Sequence, residues 1–156
     1  MSATTPATTP ETRPQTPAAA PREVPAWISR YFWASSAINF VVAGPGVISP
    51  RRSAELIGDR PPSPEFPTRA WSGMAVMFGF MFQEIARDPL GKRAMIRYGW
   101  AEKLVSATAT TIGYRRGEAP RSLMATIAIA DWAQIIPFIY AKYRLDQIAD
   151  EEASGG

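Results

Sequence analysis

The segment from Ala70 to Phe82 constrains the fold most, because it contains no charged residue and is apolar on every side. Helices on the surface of soluble proteins normally carry a polar stripe that faces water. Residues 120–143 repeat the pattern, with Asp131 as the one charged residue between Ser122 and Ala141. Both segments favour helices in a membrane over helices in a soluble bundle.

Four segments have the length of membrane helices. They cover residues 27–49, 68–87, 92–115 and 120–143, and each approaches the ~20 residues that a helix needs to cross a hydrocarbon core of about 30 Å. Tryptophan and tyrosine residues lie near the segment ends, as is typical of membrane–water interfaces. We therefore predict an all-α fold, a four-transmembrane-helix bundle over residues 27–145.

A soluble helical bundle is the alternative fold. The third segment supports it, because Arg97, Glu102 and Lys103 lie inside that segment. In addition, none of the four segments is a pure run of leucine, isoleucine and valine. The choice between the two folds therefore depends mainly on the second and fourth segments.

The regions outside the predicted spans have a different composition. Residues 1–26 are rich in proline, threonine and alanine and contain few large apolar side chains, which predicts a flexible tail. Residues 146–156 are predicted to form a flexible acidic C-terminus. Between the first two spans, Ser49-Pro50 predicts the start of a short helix that ends at Gly58, because serine suits the N-cap and proline suits the first turn.

The chain contains no histidine and no cysteine. This composition excludes disulfides, thiolate nucleophiles, Ser–His triads and the metal or haem sites that need these ligands. No phosphate loop, dinucleotide fingerprint or nucleophile elbow is present. We predict no catalytic site, no metal and no cofactor that needs histidine or cysteine ligands, and a lipid or a quinone stays compatible with the sequence. The basic residues form short pairs at segment ends, which favours lipid headgroups over nucleic acid.

Ionisable residues inside the predicted spans are the candidate site. Charged side chains are costly at membrane depth, and Glu102, Lys103 and Asp131 all lie near the middle of a span. An antiparallel neighbour can place Asp131 level with Lys103 and form a buried pair. Adjacent helical residues point about 100° apart, so Glu102 and Lys103 are not expected to face one seam squarely. Gln134 and Asn39 are the other interior polar candidates.

Two interpretations of these polar residues stay open. They can join helices to one another, or they can form a proton relay or ligand site. Small residues also predict a thin face for close helix packing, either within the bundle or against another subunit. The candidate packing residues are Gly73, Gly79, Ala125 and Ala128.

Four short motifs occur in and between the predicted helices: RPPSPEFPTRAW, GFMFQEIARDP, GEAP and DWAQIIPF. With them, the chain from Asn39 to Tyr140 resembles the small four-helix bacterial membrane proteins of the DoxX-like type. The family pattern has Gly-Lys in the third helix, where this chain has Glu102-Lys103. The resemblance implies the four-helix fold and adds a redox or quinone-associated role as one alternative.

Three functions are compatible with the sequence. We expect a non-enzymatic structural or accessory subunit of a larger respiratory or photosynthetic membrane complex, with lipids and other membrane subunits as partners. The alternatives are a small proton-coupled carrier or ligand-binding protein that uses the intramembrane Lys, Glu and Asp, and a DoxX-like redox protein. Basic residues are slightly more numerous on the side that holds both termini. This asymmetry predicts a multi-pass protein of the bacterial inner membrane with cytoplasmic termini.

Overall fold

The computed structural model describes residues 23–154, and the regular structure in that range is entirely helical. The long helices are joined by short connections, with a 3₁₀ turn (Arg93–Met95) before the fourth helix and a π turn (Met124–Ala128) inside the fifth. The helices are α1 (Ala26–Ile48), α2 (Pro50–Leu56), α3 (Phe66–Arg87), α4 (Ile96–Arg115) and α5 (Arg121–Ser154).

Glycines in the left-handed region end two of these helices. Gly58 follows α2 with φ 70°, and Gly117 follows α4 with φ 72°. After α4, the Gly117 amide donates to the Tyr114 carbonyl and the Glu118 amide donates to the Gly113 carbonyl. This is the Schellman arrangement, in which glycine reverses the chain while the last helix carbonyls keep hydrogen-bond donors.

The prediction of an all-helical chain is confirmed for the described residues. Two helices, α1 and α5, are long and apolar enough to cross a membrane, judged by length and composition. The short helix predicted to start at Ser49-Pro50 is α2, with Pro50 in its first turn. The Ser49 side chain makes no capping hydrogen bond, so proline alone accounts for the local signal.

The structure tests the two ends of the predicted bundle differently. The predicted tail, residues 1–26, lies outside the described residues up to residue 22, and helix α1 begins at Ala26. At the other end, α5 continues to Ser154, so a helix occupies most of the segment predicted to be flexible. The physical reason is that Leu145 and Ile148 are buried and continue the apolar stripe of Phe138.

The long helices form two antiparallel pairs. Helix α1 packs mainly on α3, and α4 packs mainly on α5. The Ser29 hydroxyl donates to the Ala86 carbonyl at 2.6 Å, where α1 begins and α3 ends. In the second pair, Arg93 lies 3.5 Å from the carboxylate of Asp146, just before α4 begins and near the end of α5.

Side chains from all four long helices fill one end of the bundle. The rings of Phe32 and Phe82 each lie 5.1 Å from the ring of Phe138, and all three are fully buried. We call this group the aromatic core. It is completed by Ile28, Ile85, Ala86, Ile96, Ala141 and Leu145.

Candidate functional site

Lys103 is the centre of a buried group of charged and polar side chains. Its Nζ donates to Asn39 Oδ1 at 2.8 Å and lies 3.2 Å from Asp131 Oδ1 and 3.2 Å from Glu102 Oε2. The contact with Asn39 is a hydrogen bond, and the two carboxylates lie at ion-pair distance. We call Asn39, Glu102, Lys103 and Asp131 the charged cluster.

Helix geometry explains how three helices meet at this point. Because α4 and α5 are antiparallel, Lys103 and Asp131 face each other at the same level, as the sequence predicted for an antiparallel neighbour. Glu102 is adjacent to Lys103 on α4, and its carboxylate nevertheless reaches Nζ. Long side chains on adjacent helical positions can bend toward each other, so the angle of about 100° between those positions does not keep their ends apart.

Asn39 connects the charged cluster to the other helix pair. Its Nδ2 donates to the Ala75 carbonyl of α3 at 2.8 Å, and its Oδ1 accepts from Lys103. The first hydrogen bond fixes the amide so that its oxygen faces the ammonium. One side chain of α1 therefore links α3 to α4.

The cluster is deeply buried and its formal charges do not balance. Lys103 is 3% exposed and Asp131 is 6% exposed. Removing an ion from water costs several kcal/mol unless partners compensate for the lost hydration. Here two carboxylates surround one ammonium, and Glu102 Oε2, although at ion-pair distance, has no hydrogen-bond donor.

The cluster lines one end of a cavity of about 670 Å³. Helices α1, α3, α4 and α5 provide its walls, and α2 with the following linker lies at its other end. The exposed side chains of Arg60 and Glu118 mark that outer end. Between the two ends the lining is largely apolar, including Ile38, Val42, Trp71, Leu123 and Ile127. Apolar walls with a few fixed polar groups are typical of small-molecule sites.

Gln134, predicted with the site, does not join the charged cluster. It is buried, but its side-chain amide donates to the Ala130 carbonyl at 3.3 Å and its Oε1 has no partner. Its backbone carbonyl accepts from the Tyr31 hydroxyl at 3.1 Å. Gln134 therefore lies between the aromatic core and the cluster and contributes to neither.

The predicted packing residues have different surroundings. A Cβ on Gly79 would lie 3.3 Å from the Phe40 ring, so this glycine permits the close approach of α1 and α3. No atom lies within 4 Å of the corresponding position on Gly73. Ala128 is fully buried, whereas Ala125 is exposed.

Gly99 and most of the cavity lining are not among the residues predicted from the sequence. A Cβ on Gly99 would lie 2.6 Å from the Phe138 ring and 2.7 Å from the Phe82 ring. The cavity lining on α4 includes Lys103, Ser106, Thr110 and Gly113. These small and polar residues recur at spacings of three and four, which places them on one helix face. That stripe is the signal that could have identified the cavity.

No group of three or more His, Cys, Asp or Glu side chains in residues 23–154 could hold a metal ion. Comparisons of the chain with protein-family models, with curated proteins and with solved structures found no match. The charged cluster and the cavity are therefore the features that bear on function.

Proposed function

We propose that α1, α3, α4 and α5 all cross a membrane. Each presents large apolar side chains on its outer surface. Val41 of α1 is 74% exposed, Met77 of α3 is 65%, Val105 of α4 is 59% and Ile136 of α5 is 74%. Monomeric soluble proteins seldom expose apolar surface so widely, whereas lipid tails would cover it.

The lengths of α3 and α4 support this proposal. They contain 22 and 20 residues, which corresponds to about 33 Å and 30 Å at 1.5 Å per residue. The polar residues that lower the hydropathy of α4 include Glu102 and Lys103, which point into the bundle. Charged groups that face the interior of a membrane bundle are compatible with a spanning helix.

Single cysteines test the four crossings, because the natural chain has none. Val41→Cys, Met77→Cys, Val105→Cys and Ile136→Cys are expected to resist a water-soluble maleimide in intact membranes. The matched control Arg116→Cys, in the turn after α4, is expected to react. Rapid labelling at the first four positions would contradict the proposal. Four crossings place both termini on one side, and we propose that this side is cytoplasmic because it carries slightly more basic residues.

We further propose that the protein binds a small amphipathic ligand in the cavity. The observation that carries this proposal is that the charged cluster, although buried within the bundle, borders the cavity. If these charges only joined helices, close packing around them would stabilise the fold more than an adjacent cavity does. A polar group without a hydrogen-bond partner in an apolar environment is costly. The cluster instead provides fixed polar groups at one end of an apolar space.

Small molecules released from the purified protein test ligand binding. Ala130 lines the cavity and Ala133, three residues later on α5, is exposed and does not. Mass spectrometry of the wild type and of Ala133→Phe is expected to find the same bound molecule, and Ala130→Phe is expected to lose it. Equal amounts of the same molecules from all three proteins would contradict the proposal.

We favour ligand binding over the accessory-subunit role, because the association of helices with another subunit does not explain the cavity. The two proposals differ in the native size of the protein in a mild-detergent extract. Migration as a small particle fits ligand binding. Migration with a large complex, together with no effect of Ala130→Phe on released molecules, would favour the accessory subunit. A DoxX-like redox role requires a quinone or similar molecule among those released.

A further inference from the structure

We infer that the ligand of the cavity is an organic cation, an ammonium group joined to an apolar tail. This inference rests on the proposed ligand-binding function and names the class of ligand. It begins from the charge of the cluster, where Glu102 and Asp131 both lie 3.2 Å from the single ammonium of Lys103. By formal charge, the cluster therefore has one more carboxylate than it has cations.

The rest of the cavity lining adds further negative charge. Among the described residues, its other ionised side chains are Asp59, Glu118 and Arg60. The complete lining therefore holds four carboxylates and two cations, although the whole chain has a formal net charge of +3. An acidic cavity in a basic protein attracts cations and repels anions, and the effect is strong where water is sparse.

Hydrogen bonding points in the same direction. Lys103 Nζ donates a hydrogen bond to Asn39 Oδ1 and lies 3.2 Å from one oxygen of each carboxylate, so an anionic ligand would meet two carboxylates around a single ammonium. Glu102 Oε2, in contrast, is buried and has no hydrogen-bond donor. A ligand ammonium near Glu102 supplies both the missing donor and the missing positive charge.

The apolar part of the ligand follows from the walls of the cavity. Val42, Leu123 and Ile127 line the space beyond the cluster. An alkyl or aryl tail in contact with them leaves water when the ammonium reaches Glu102. Free amines and lipid headgroups with an amine share this chemistry. The released-molecule measurement distinguishes them, because an aminophospholipid enriched over bulk lipid indicates a headgroup.

Three probes with one tail and different head groups test the inference. Phenylbutylamine, phenylbutanol and phenylbutyrate are titrated by calorimetry into the full chain in detergent micelles, and titrations of empty micelles are subtracted. The amine is expected to bind about tenfold more tightly than the alcohol, and the carboxylate is expected to bind most weakly. Glu102→Gln is expected to weaken amine binding about tenfold and to leave alcohol binding within about twofold.

Two further variants control the test. Glu84 lies near the end of α3, pairs with Arg87 at 2.5 Å and does not line the cavity, so Glu84→Gln is expected to leave all affinities unchanged. Glu118→Gln removes an exposed carboxylate from the outer end of the cavity. It is expected to weaken amine binding about twofold even if Glu102→Gln fails to fold.

The outcomes separate this inference from the proposed function. If the alcohol or the carboxylate binds at least as tightly as the amine, and Ala130→Phe abolishes that binding, the cavity is a ligand site but not for cations. Equal amine binding in the wild type, Glu102→Gln and Glu118→Gln would also overturn the inference. If Ala130→Phe changes the binding of no probe, both proposals fail.

Discussion

The two ends of the bundle are built from the same four long helices but are filled in opposite ways. At one end, the rings of Phe32, Phe82 and Phe138 are fully buried and pack against one another. Gly99 lies against two of these rings. At the other end, the helices carry small or polar residues such as Ser72 and Ser106, and a cavity of about 670 Å³ results. Side-chain volume thus divides one bundle into a packed half and an open half.

The charged cluster lies at the boundary between these halves. Lys103 Nζ is 5.8 Å from the centre of the Phe82 ring, so the ammonium rests against the aromatic core. A rigid packed surface beneath a polar group holds that group in one geometry. The comparison indicates that the packed half maintains the fold and orients the charges, while the open half admits the ligand.

Lys103→Met is expected to produce the largest loss of stability. It leaves the carboxylates of Glu102 and Asp131 buried without their ammonium, and breaking a buried ion pair in this way costs about 3–5 kcal/mol. Unfolding in detergent measures the loss. Adding Glu102→Gln and Asp131→Asn is expected to restore most of the stability and to abolish the preference for an amine. A triple variant as unstable as Lys103→Met would contradict this account of the charges.

Phe138→Ala is expected to cost about 3 kcal/mol, because it opens a cavity inside the packed half. This loss is at the low end of the range for Phe→Ala substitutions, because in a membrane the loss of stability comes mainly from lost packing contacts. Phe66→Ala, on a residue of α3 that is 76% exposed, is the matched control and is expected to have little effect on the melting temperature. An equal loss of stability in Phe138→Ala and Phe66→Ala would contradict the claim that the packed half maintains the fold.

Gly99→Ala is expected to cost roughly 1–3 kcal/mol, because the new methyl group would lie 2.6 Å from the Phe138 ring and one of the two must move. The same substitution at Gly73, where no atom lies within 4 Å, is expected to be neutral or slightly stabilising, since alanine favours helix more than glycine does. Thermal unfolding of both variants in one detergent provides the comparison.

Ala109→Leu is expected to have the smallest effect, within about 0.5 kcal/mol. Ala109 lines the cavity on the same helix as Gly99, and the added carbon atoms have space there. One methyl group in the packed half is thus expected to cost more than three carbon atoms in the open half. A larger loss for Ala109→Leu than for Gly99→Ala would show that the cavity closes in the folded protein.

The features of the fold that depend on local sequence pattern could be predicted from the sequence. Apolar segment length predicts the long helices, Pro50 predicts α2, and antiparallel order predicts that Asp131 meets Lys103. The continuation of α5 to Ser154 was missed because acidic residues mask the buried stripe of Leu145 and Ile148. The cavity was missed because it depends on how four helices fit together.

The reach of individual side chains is a second reason why the observed site differs from the predicted one. Glu102 and Lys103 were not expected to face one seam squarely, yet the Glu102 carboxylate lies 3.2 Å from Lys103 Nζ. Gln134 shares a helix face with Asp131 but forms a hydrogen bond to its own helix instead of joining the charged cluster. Helical spacing identifies which residues share a face, and rotamers then determine which of them touch.

The most direct test of the central claim is the reaction of one cysteine, Ala130→Cys, with methanethiosulfonates of opposite charge in native membranes. The natural chain lacks cysteine, so the label reports on the cavity alone, and rates are normalised to Ser154→Cys at the exposed end of α5. An open, acidic cavity predicts reaction with the cationic reagent, about tenfold faster than with the anionic one. No reaction with either reagent, or a faster reaction with the anion, would contradict the account.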